Sequence, residues 1–466
     1  MVSGHRPATA PSPSAFCGLG AVVRLRHLYD TNPTHSSYRR DRSETNSGLD
    51  RDPSTQAVIT LAHMDDSAPA DSATSDTPAD SPDRPVYVIG GGPGGLAVAY
   101  ALRAQGIRAV VLEKSDRVGA SWRRHYDRLH LHTTRRLSAL PGLPMPRRFG
   151  RWVSRDDVVR YLEKYAEFHE LEIVTGVEVS RVDRSPDGTG WLLHATGGRE
   201  LTGAAVVVAT GYNHTPYVPD WPGREGFKGE LVHAGDYRNP EPYAGRDVLV
   251  VGVGNTGAEI AVDLVEGGAS RVRLSVRTAP HIVRRSTAGW AAQYTGVLVR
   301  RLPVGVVDRL ARPMAKLSVP DLSEHGLPRP DTGLYSRVKE GAIPVQDVGL
   351  IDAVRGGRVE VVAAVEGFED DKVVLADGNR VGPDAVIAAT GYVRSLESLV
   401  GHLDVLGAHG RPVVNGGYCP DNAPGLFFSG YVTPISGTFR ELSIDAAKIA
   451  KAIARDTGRQ VTRLPS

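Results

Sequence analysis

The chain has 466 residues, 41% of them apolar and 23% charged, with a formal net charge of +2. That is ordinary globular usage, long enough for two or three domains with sizeable cores, and its near-neutral balance argues against a nucleic-acid footprint. Two cysteines, Cys17 and Cys419, and no CxxC pair exclude a disulfide framework, a cysteine-rich metal site and a redox dithiol of the usual kind. The expectation is a reducing, cytoplasmic setting and no metal.

Residues 1–84 are dominated by Ser, Thr, Pro, Asp and Ala, as in the stretch DDSAPADSATSDTPADSPDR after Met64. Such a composition buries too little apolar surface to offset its ordering entropy, so a disordered extension is expected, with Met64 a second candidate start. The apolar run AFCGLGAVV from Ala15 is short, ends at Arg24 and lacks a following cleavage site, unlike a secretion signal. No run of about 18 apolar residues occurs, so no transmembrane helix is expected.

At Pro85 the character changes. VYVIG is a short apolar run, LAVAYALRAQG has helical spacing and RAVVLEK is a second apolar run, together a βαβ unit. The turn Gly90-Gly91-Gly92-Pro93-Gly94-Gly95 fits GxGxxG. Gly90 allows the tight turn, Gly92 lets backbone approach a pyrophosphate, and Gly95 lets helix pack on strand. Glu113 closes the second strand, where an acid can hold a ribose diol. Downstream, RDDVVRYLEKYAEFHE puts Val158, Val159, Leu162 and Tyr165 on one helical face, with Ser154 as its cap.

The same grammar recurs from Asp247, in DVLVVGVGNTGAEIAVDLVEGGASRVRLSVR. Its loop is Gly252-Val253-Gly254-Asn255-Thr256-Gly257, but its second strand ends without an acid and supplies Ser275 and Arg277. A carboxylate there would repel a 2′-phosphate, whereas a guanidinium pairs with it, so this site is expected to take NADPH and the first site FAD. Two such sites in one chain imply hydride transfer from a nicotinamide to a second bound cofactor. VVVATGYNHTP and VIAATGYVRS each carry Thr-Gly-Tyr after an apolar run, with Thr210 and Gly211 in the first, and suit crossings between two domains near a cofactor. The segment from Arg300 to about Leu317, basic and apolar by turns, suits a helical flap better than a membrane contact.

Between the two loops lies FKGELVHAGDY, Phe227 to Tyr237, which matches FxGxxxHxxxY. With YDRLHLHTTRRLSALPGLPMP, HGLPRP, GAIPVQDVG and GLFFSGYV, it makes the chain resemble the class B flavin monooxygenases from about Pro85 to Ala454, most of all the plant YUCCA-type enzymes and their bacterial relatives.

The resemblance implies an α/β flavoprotein of two dinucleotide-binding domains, glutathione-reductase-like, with the NADPH domain inserted in the FAD domain. Its expected parts are FAD-binding segments at 85–215 and 393–458, an NADPH-binding domain at 216–392 with a helical insertion about 290–345, and a flexible tail at 459–466. It implies that Trp122 lies on the isoalloxazine side, Val179 meets the adenine through its backbone, and Gly430 lies near the flavin. His132 and Asn213 would sit beside the flavin, and Phe227, Gly229 and His233 in a turn linking the domains, so that His132, Asn213 and His233 are the candidate catalytic residues. The implied activity inserts one atom of O₂ into a small organic substrate through a C4a-(hydro)peroxyflavin, by oxidative decarboxylation of an aryl-2-oxo acid or by N- or S-oxygenation. An NADPH oxidase or reductase and a non-catalytic nucleotide sensor are the alternatives. Gly119-Ala120-Ser121-Trp122, where relatives carry paired glycines, and Thr134, where plant enzymes carry proline, depart from the pattern. Tyr237 replaces the Trp-Pro or Trp-Asp ending of Baeyer–Villiger enzymes.

Overall fold

The computed structural model describes residues 84–458. Cys17, Met64 and most of the expected extension, like the expected tail, lie outside the described residues.

Two five-stranded parallel sheets organise the chain, each grown around one of the glycine loops. In the first, β1 (Val86–Ile89) is followed by α1 (Pro93–Arg103) and β2 (Ala109–Glu113), which returns parallel to β1 with Val86 opposite Ala109. Strand Ala205–Val208 flanks β1 on the other side; Glu172–Thr175 and Leu426–Phe428 form the edges. Parallel strands covered on both faces need continuous apolar runs, which explains why Val206, Val207 and Val208 are all buried.

The second sheet repeats the plan. β3 (Asp247–Val251), α4 (Asn255–Glu266) and β4 (Arg271–Ser275) form the βαβ unit, with α2 (Ala120–Arg124) and α3 (Arg155–Phe168) lying earlier in the chain. Strand Ala385–Ala388 flanks β3, and Glu230–His233 and Glu360–Val362 form the edges. All of its strands lie in sequence between the first sheet's Ala205–Val208 and Leu426–Phe428, so the second nucleotide-binding fold is inserted in the first.

Helix α3 follows its sequence pattern. The Ser154 hydroxyl accepts from the Asp157 N–H at 3.2 Å, and the face Val158, Val159, Leu162 and Tyr165 is buried, joined by Tyr161. Within the insertion, α5 (Ala292–Val299) and α6 (Val304–Ser318) precede a short helix, Leu334–Lys339, and strand Val345–Asp347. The last helix, α7 (Thr438–Asp456), closes the first sheet, packing Phe439, Ile449 and Ile453 into a core with Leu96 and Leu102 of α1.

Candidate active site

The two glycine loops have the same construction. Gly90 takes φ +109° and Gly252 φ +105°, a region open to glycine and strained for other residues. A side chain at either would crowd a carbonyl of the neighbouring crossing, Ala209 or Ala389, at 2.7 Å. One turn on, a Cβ on Gly95 would collide with the Gly90 carbonyl oxygen, and one on Gly257 with that of Gly252. Gly92 and Gly254 differ from these. Each caps its helix in ordinary extended backbone, φ −83° and −78°, and a Cβ at either would meet nothing within 4 Å. Neither helix has a side-chain cap, so its first N–H groups face that open space with the positive end of the helix dipole behind them.

The strand ends differ as the sequence predicts. Glu113 is buried, and its carboxylate accepts from the N–H of Gly91 at 2.7 Å and of Ser115 at 2.9 Å. Those bonds lock the loop, and a carboxylate retains further acceptor positions for a diol. Ser275 is also buried, and its hydroxyl donates to the Ala363 carbonyl at 2.9 Å. Arg277 is exposed and makes no ion pair or hydrogen bond among the described residues. Asn255 is committed to the protein: its oxygen accepts from Gln346 N–H at 2.7 Å and its amide donates to the Pro344 carbonyl at 3.2 Å. It therefore ties the second loop to the GAIPVQDVG stretch.

The two Thr-Gly-Tyr turns cross side by side, Thr215–Pro216 pairing antiparallel with Tyr392–Val393. Gly211 takes φ +75° and faces open space, and the Thr210 hydroxyl is hydrogen-bonded to that of Tyr431 at 2.7 Å. His233, at the end of Glu230–His233, joins this crossing. Its Nδ1 accepts from the Gly235 N–H at 3.0 Å, so Nε2 carries the proton and donates to the Gly391 carbonyl at 2.9 Å. Burial pushes its pKa down, which keeps that neutral tautomer. Both ring nitrogens are thus spent on backbone. Phe227 packs against Phe368 with ring centroids 5.1 Å apart, and a side chain on Gly229 would strike the Phe227 ring.

Around the first loop, the Gly119 N–H donates to the Gly91 carbonyl at 3.0 Å, and Gly119 in the left-handed region starts α2. That helix sets Trp122 edge-to-face on Phe439 at 5.6 Å. Val179 is buried at the start of strand Val179–Arg184, which pairs with Trp191–Ala195. Gly430 takes φ +91° just after Leu426–Phe428.

His132 lies on the seam between the two sheets. Its Nε2 is 2.8 Å from the Glu259 carboxylate of α4, a contact too poorly aligned for a good hydrogen bond, and its Nδ1 is buried without a partner among the described residues. The other Glu259 oxygen accepts from the Tyr126 hydroxyl at 3.1 Å. One turn on, Asp263 accepts from Tyr237 at 2.8 Å and pairs with Arg128 at 3.1 Å. Burial pushes Asp263 up and Tyr126 well above the ordinary tyrosine range. Asn213 follows the first crossing, exposed and with its amide making no hydrogen bond among the described residues.

Glu259, Asp263 and Tyr126 carry no sequence motif of their own. The available signal is a pair of acids spaced i, i+4 in a helical stretch, Ala258–Val265, otherwise built of Ala, Ile, Val and Leu. Buried carboxylates there need donors, and Tyr126, Arg128 and Tyr237 supply them. Ser429 was equally silent. Its hydroxyl is buried and unpartnered at the end of Leu426–Phe428, 3.5 Å from where a side chain on Gly94 would stand. Thr134, the departure from the plant pattern, is buried too. Its N–H and hydroxyl both donate to the Gln293 oxygen, at 2.8 and 3.1 Å, and the Gln293 amide donates to the Ser436 carbonyl at 2.8 Å.

These residues fit two dinucleotides. Open space stands over both helix N-termini, the first strand ends in an acid and the second in a free guanidinium. An orphaned buried hydroxyl such as that of Ser429 is uncommon unless a ligand completes it. The fold and the paired loops define a two-dinucleotide flavoprotein oxidoreductase. Residues 87–292 match the family model described as pyridine nucleotide-disulphide oxidoreductase, although the one described cysteine, Cys419, is free. The chain is 38% identical over 314 residues to indole-3-pyruvate monooxygenase YUCCA1 of Oryza sativa subsp. japonica, covering 67% of this chain and 77% of that protein. It is 32% identical over 381 residues to the probable indole-3-pyruvate monooxygenase YUCCA3 of Arabidopsis thaliana, covering 79% and 86%. Among solved structures, the flavin-containing monooxygenase of Stenotrophomonas maltophilia is similar with a TM-score of 0.59 and 25% identity, over 78% of this chain and 98% of that one. The chain belongs to the flavin-dependent monooxygenases of the YUCCA type, oxidoreductases that work with FAD and NADPH.

Proposed function

We propose that this protein uses NADPH and O₂ to convert an aryl-2-oxo acid, by oxidative decarboxylation, to the carboxylic acid one carbon shorter. The observation that carries the substrate class is the identity with indole-3-pyruvate monooxygenases over most of the described chain. The reaction balances as 2-oxo acid, O₂, NADPH and a proton giving the shorter acid, CO₂, NADP⁺ and water. When bound, the flavin takes a hydride from the nicotinamide and activates O₂.

The chain's own groups bind, orient and exclude water. The first N–H groups of α1, with Gly90, Gly92 and Gly95 shaping the turn, hold the FAD pyrophosphate, and Glu113 the adenosine ribose. Thr210, Gly211, Trp122 and Gly430 enclose the flavin, and the backbone of Val179 meets the adenine. Gly252, Gly254 and Gly257 cradle the NADPH pyrophosphate. Asn255 and Ser275 hold the loop and strand end that carry it, and Arg277 takes the 2′-phosphate. His132, with Nδ1 buried and unpartnered, and Asn213, with a free amide, are the groups available to donate to the reacting oxygen or the nicotinamide amide. His233 has no nitrogen left for substrate and acts as a positioning residue for the crossing.

The test is a coupled measurement of NADPH oxidation, O₂ uptake, CO₂ release and H₂O₂ release, with and without a panel of 2-oxo acids, amines and sulfides. Stoichiometric CO₂ with little peroxide is expected for the aryl-2-oxo acids. Oxygenation of an amine or sulfide without CO₂ would replace the substrate class. Stoichiometric peroxide with every compound would replace the monooxygenase by an NADPH oxidase.

A further inference from the structure

The inner side of α6 is well anchored. Val307 is buried, and the buried Asp308 carboxylate accepts from the N–H groups of Tyr335 at 2.7 Å and Ser336 at 3.1 Å. Its outer side is unusual. Val306, Leu310, Pro313 and Leu317, at spacings of four, three and four, form one helical stripe, and all are exposed. Leu298 and Leu302 lead into it, and the five Val and Leu side chains of this surface are 50–90% exposed. Arginines flank the stripe: Arg301, Arg309 and Arg312 are exposed and make no ion pair among the described residues. Between residues 290 and 317 the sequence holds five basic side chains and one acid, the buried Asp308, a local excess larger than the net +2 of the whole chain.

A second basic feature, like this segment, reaches the first turns of α7. Arg135, Arg136 and Arg147 line a cavity of about 550 Å³ with Ala139, Pro144 and Met145, and no acid lines it. The Ala139 carbonyl accepts from Ser443 of α7 at 3.4 Å, and Glu441, on the same turn, pairs with Arg300 at 3.5 Å.

We propose, in place of the flap that the sequence suggests, that this surface docks on a membrane containing acidic lipids: the stripe enters the headgroup–acyl boundary and the flanking arginines meet phosphates. A second copy of the chain fits less well, because it would bring two such basic surfaces together, and the stripe's own segment, residues 290–317, offers no exposed acid to meet them. Among the described residues no helix is long and apolar enough to cross a membrane, so the contact is interfacial.

The test is sedimentation of the full-length, flavin-loaded protein with vesicles of phosphatidylcholine alone or mixed equally with phosphatidylglycerol. Binding is expected to the mixed vesicles and to weaken with added salt. Arg309→Glu/Arg312→Glu should weaken it roughly 30-fold or more, and Val306→Glu/Leu310→Glu at least about tenfold. Both variants should keep the flavin spectrum and NADPH oxidation in buffer. No binding to mixed vesicles at low salt overturns the proposal, as does equal binding to both vesicle types. A concentration-dependent dimer that Val306→Glu/Leu310→Glu dissolves, without vesicle binding, assigns the stripe to a second copy instead.

Discussion

Because a Cβ at Gly92 or Gly254 meets nothing within 4 Å, a small side chain there projects into the open space over the helix N-terminus. Gly92→Val puts its methyl groups where the FAD pyrophosphate must approach the helix N-terminus. Two charge-assisted hydrogen bonds lost at about 1.5–3 kcal/mol each amount to about 3–6 kcal/mol, or roughly 10²- to 10⁴-fold in affinity. The protein itself loses no more than a helix cap, about 1 kcal/mol, since φ −83° suits any residue. Gly92→Val is therefore expected to purify folded but colourless, and Gly254→Val folded and yellow but with NADPH weakened by a comparable factor. Gly95→Val and Gly257→Val should instead damage the fold, because their side chains collide with the loop carbonyls of Gly90 and Gly252. Flavin-to-protein absorbance ratios, NADP⁺ titration and thermal unfolding read the four variants. A folded Gly92→Val with full flavin occupancy would refute the FAD assignment, and flavin loss in Gly254→Val would exchange the two sites.

Two more outcomes follow from the strand ends and the seam. Arg277→Ala should weaken NADPH about tenfold, the low end for a charge-assisted pair because the guanidinium is exposed, and leave NADH unchanged. Equal losses for both cofactors would show that Arg277 does not bind the 2′-phosphate. His125 has its pKa pushed down to about 4, first by burial and then by Arg238, Arg155 and Arg124. The unfolded chain takes up that proton near pH 6.5 and the folded one does not, so stability should be intact above pH 6.5. It should fall as pH drops towards 4, by about 3 kcal/mol in all. Thermal unfolding at stepped pH should show a slope that flattens in His125→Gln, and an unchanged slope would place the titration elsewhere.

The sequence makes the nucleotide loops legible because their chemistry depends on backbone. Gly90 and Gly95 each answer a local steric demand, Gly92 leaves space open over the helix N-terminus, and all three are visible as missing side chains. The helix α3 is legible for the same kind of reason, since Ser154 and the Val158–Tyr165 face act within one element. What escapes is whatever depends on partners distant in sequence. Glu259 needs Tyr126 and His132, more than 120 residues earlier, and Gln293 links Thr134 to Ser436 across the insertion. Nothing local in either stretch announces the pairing. Likewise, periodicity identifies the stripe on α6 as one helical face but cannot say whether that face points inward or outward.

His233 shows what the fingerprint does physically. A histidine between two nucleotide loops invites a role in proton transfer, yet its imidazole spans from Gly235 to Gly391 with no valence to spare. The Gly391 carbonyl also accepts from the Tyr217 N–H at 3.0 Å, and the Thr390 hydroxyl donates to the Tyr217 carbonyl. Three segments therefore meet at one peptide group: the edge strand of the second sheet and the outgoing and returning crossings between the sheets. Each crossing leaves the strand beside the loop-bearing strand of its sheet, Ala205–Val208 or Ala385–Ala388, and reaches a positive-φ glycine, Gly211 or Gly391, three residues later. A change in their relative position would move one loop against the other, and hydride transfer between cofactors tolerates displacement of only a fraction of an ångström. Protonation of Nδ1 would set two donors face to face at Gly235, and the burial that pushes the His233 pKa down opposes that state. A neutral, fully bonded histidine is thus what the joint requires, and a motif without a free catalytic group can still mark an enzyme family by fixing the geometry in which its two cofactors meet.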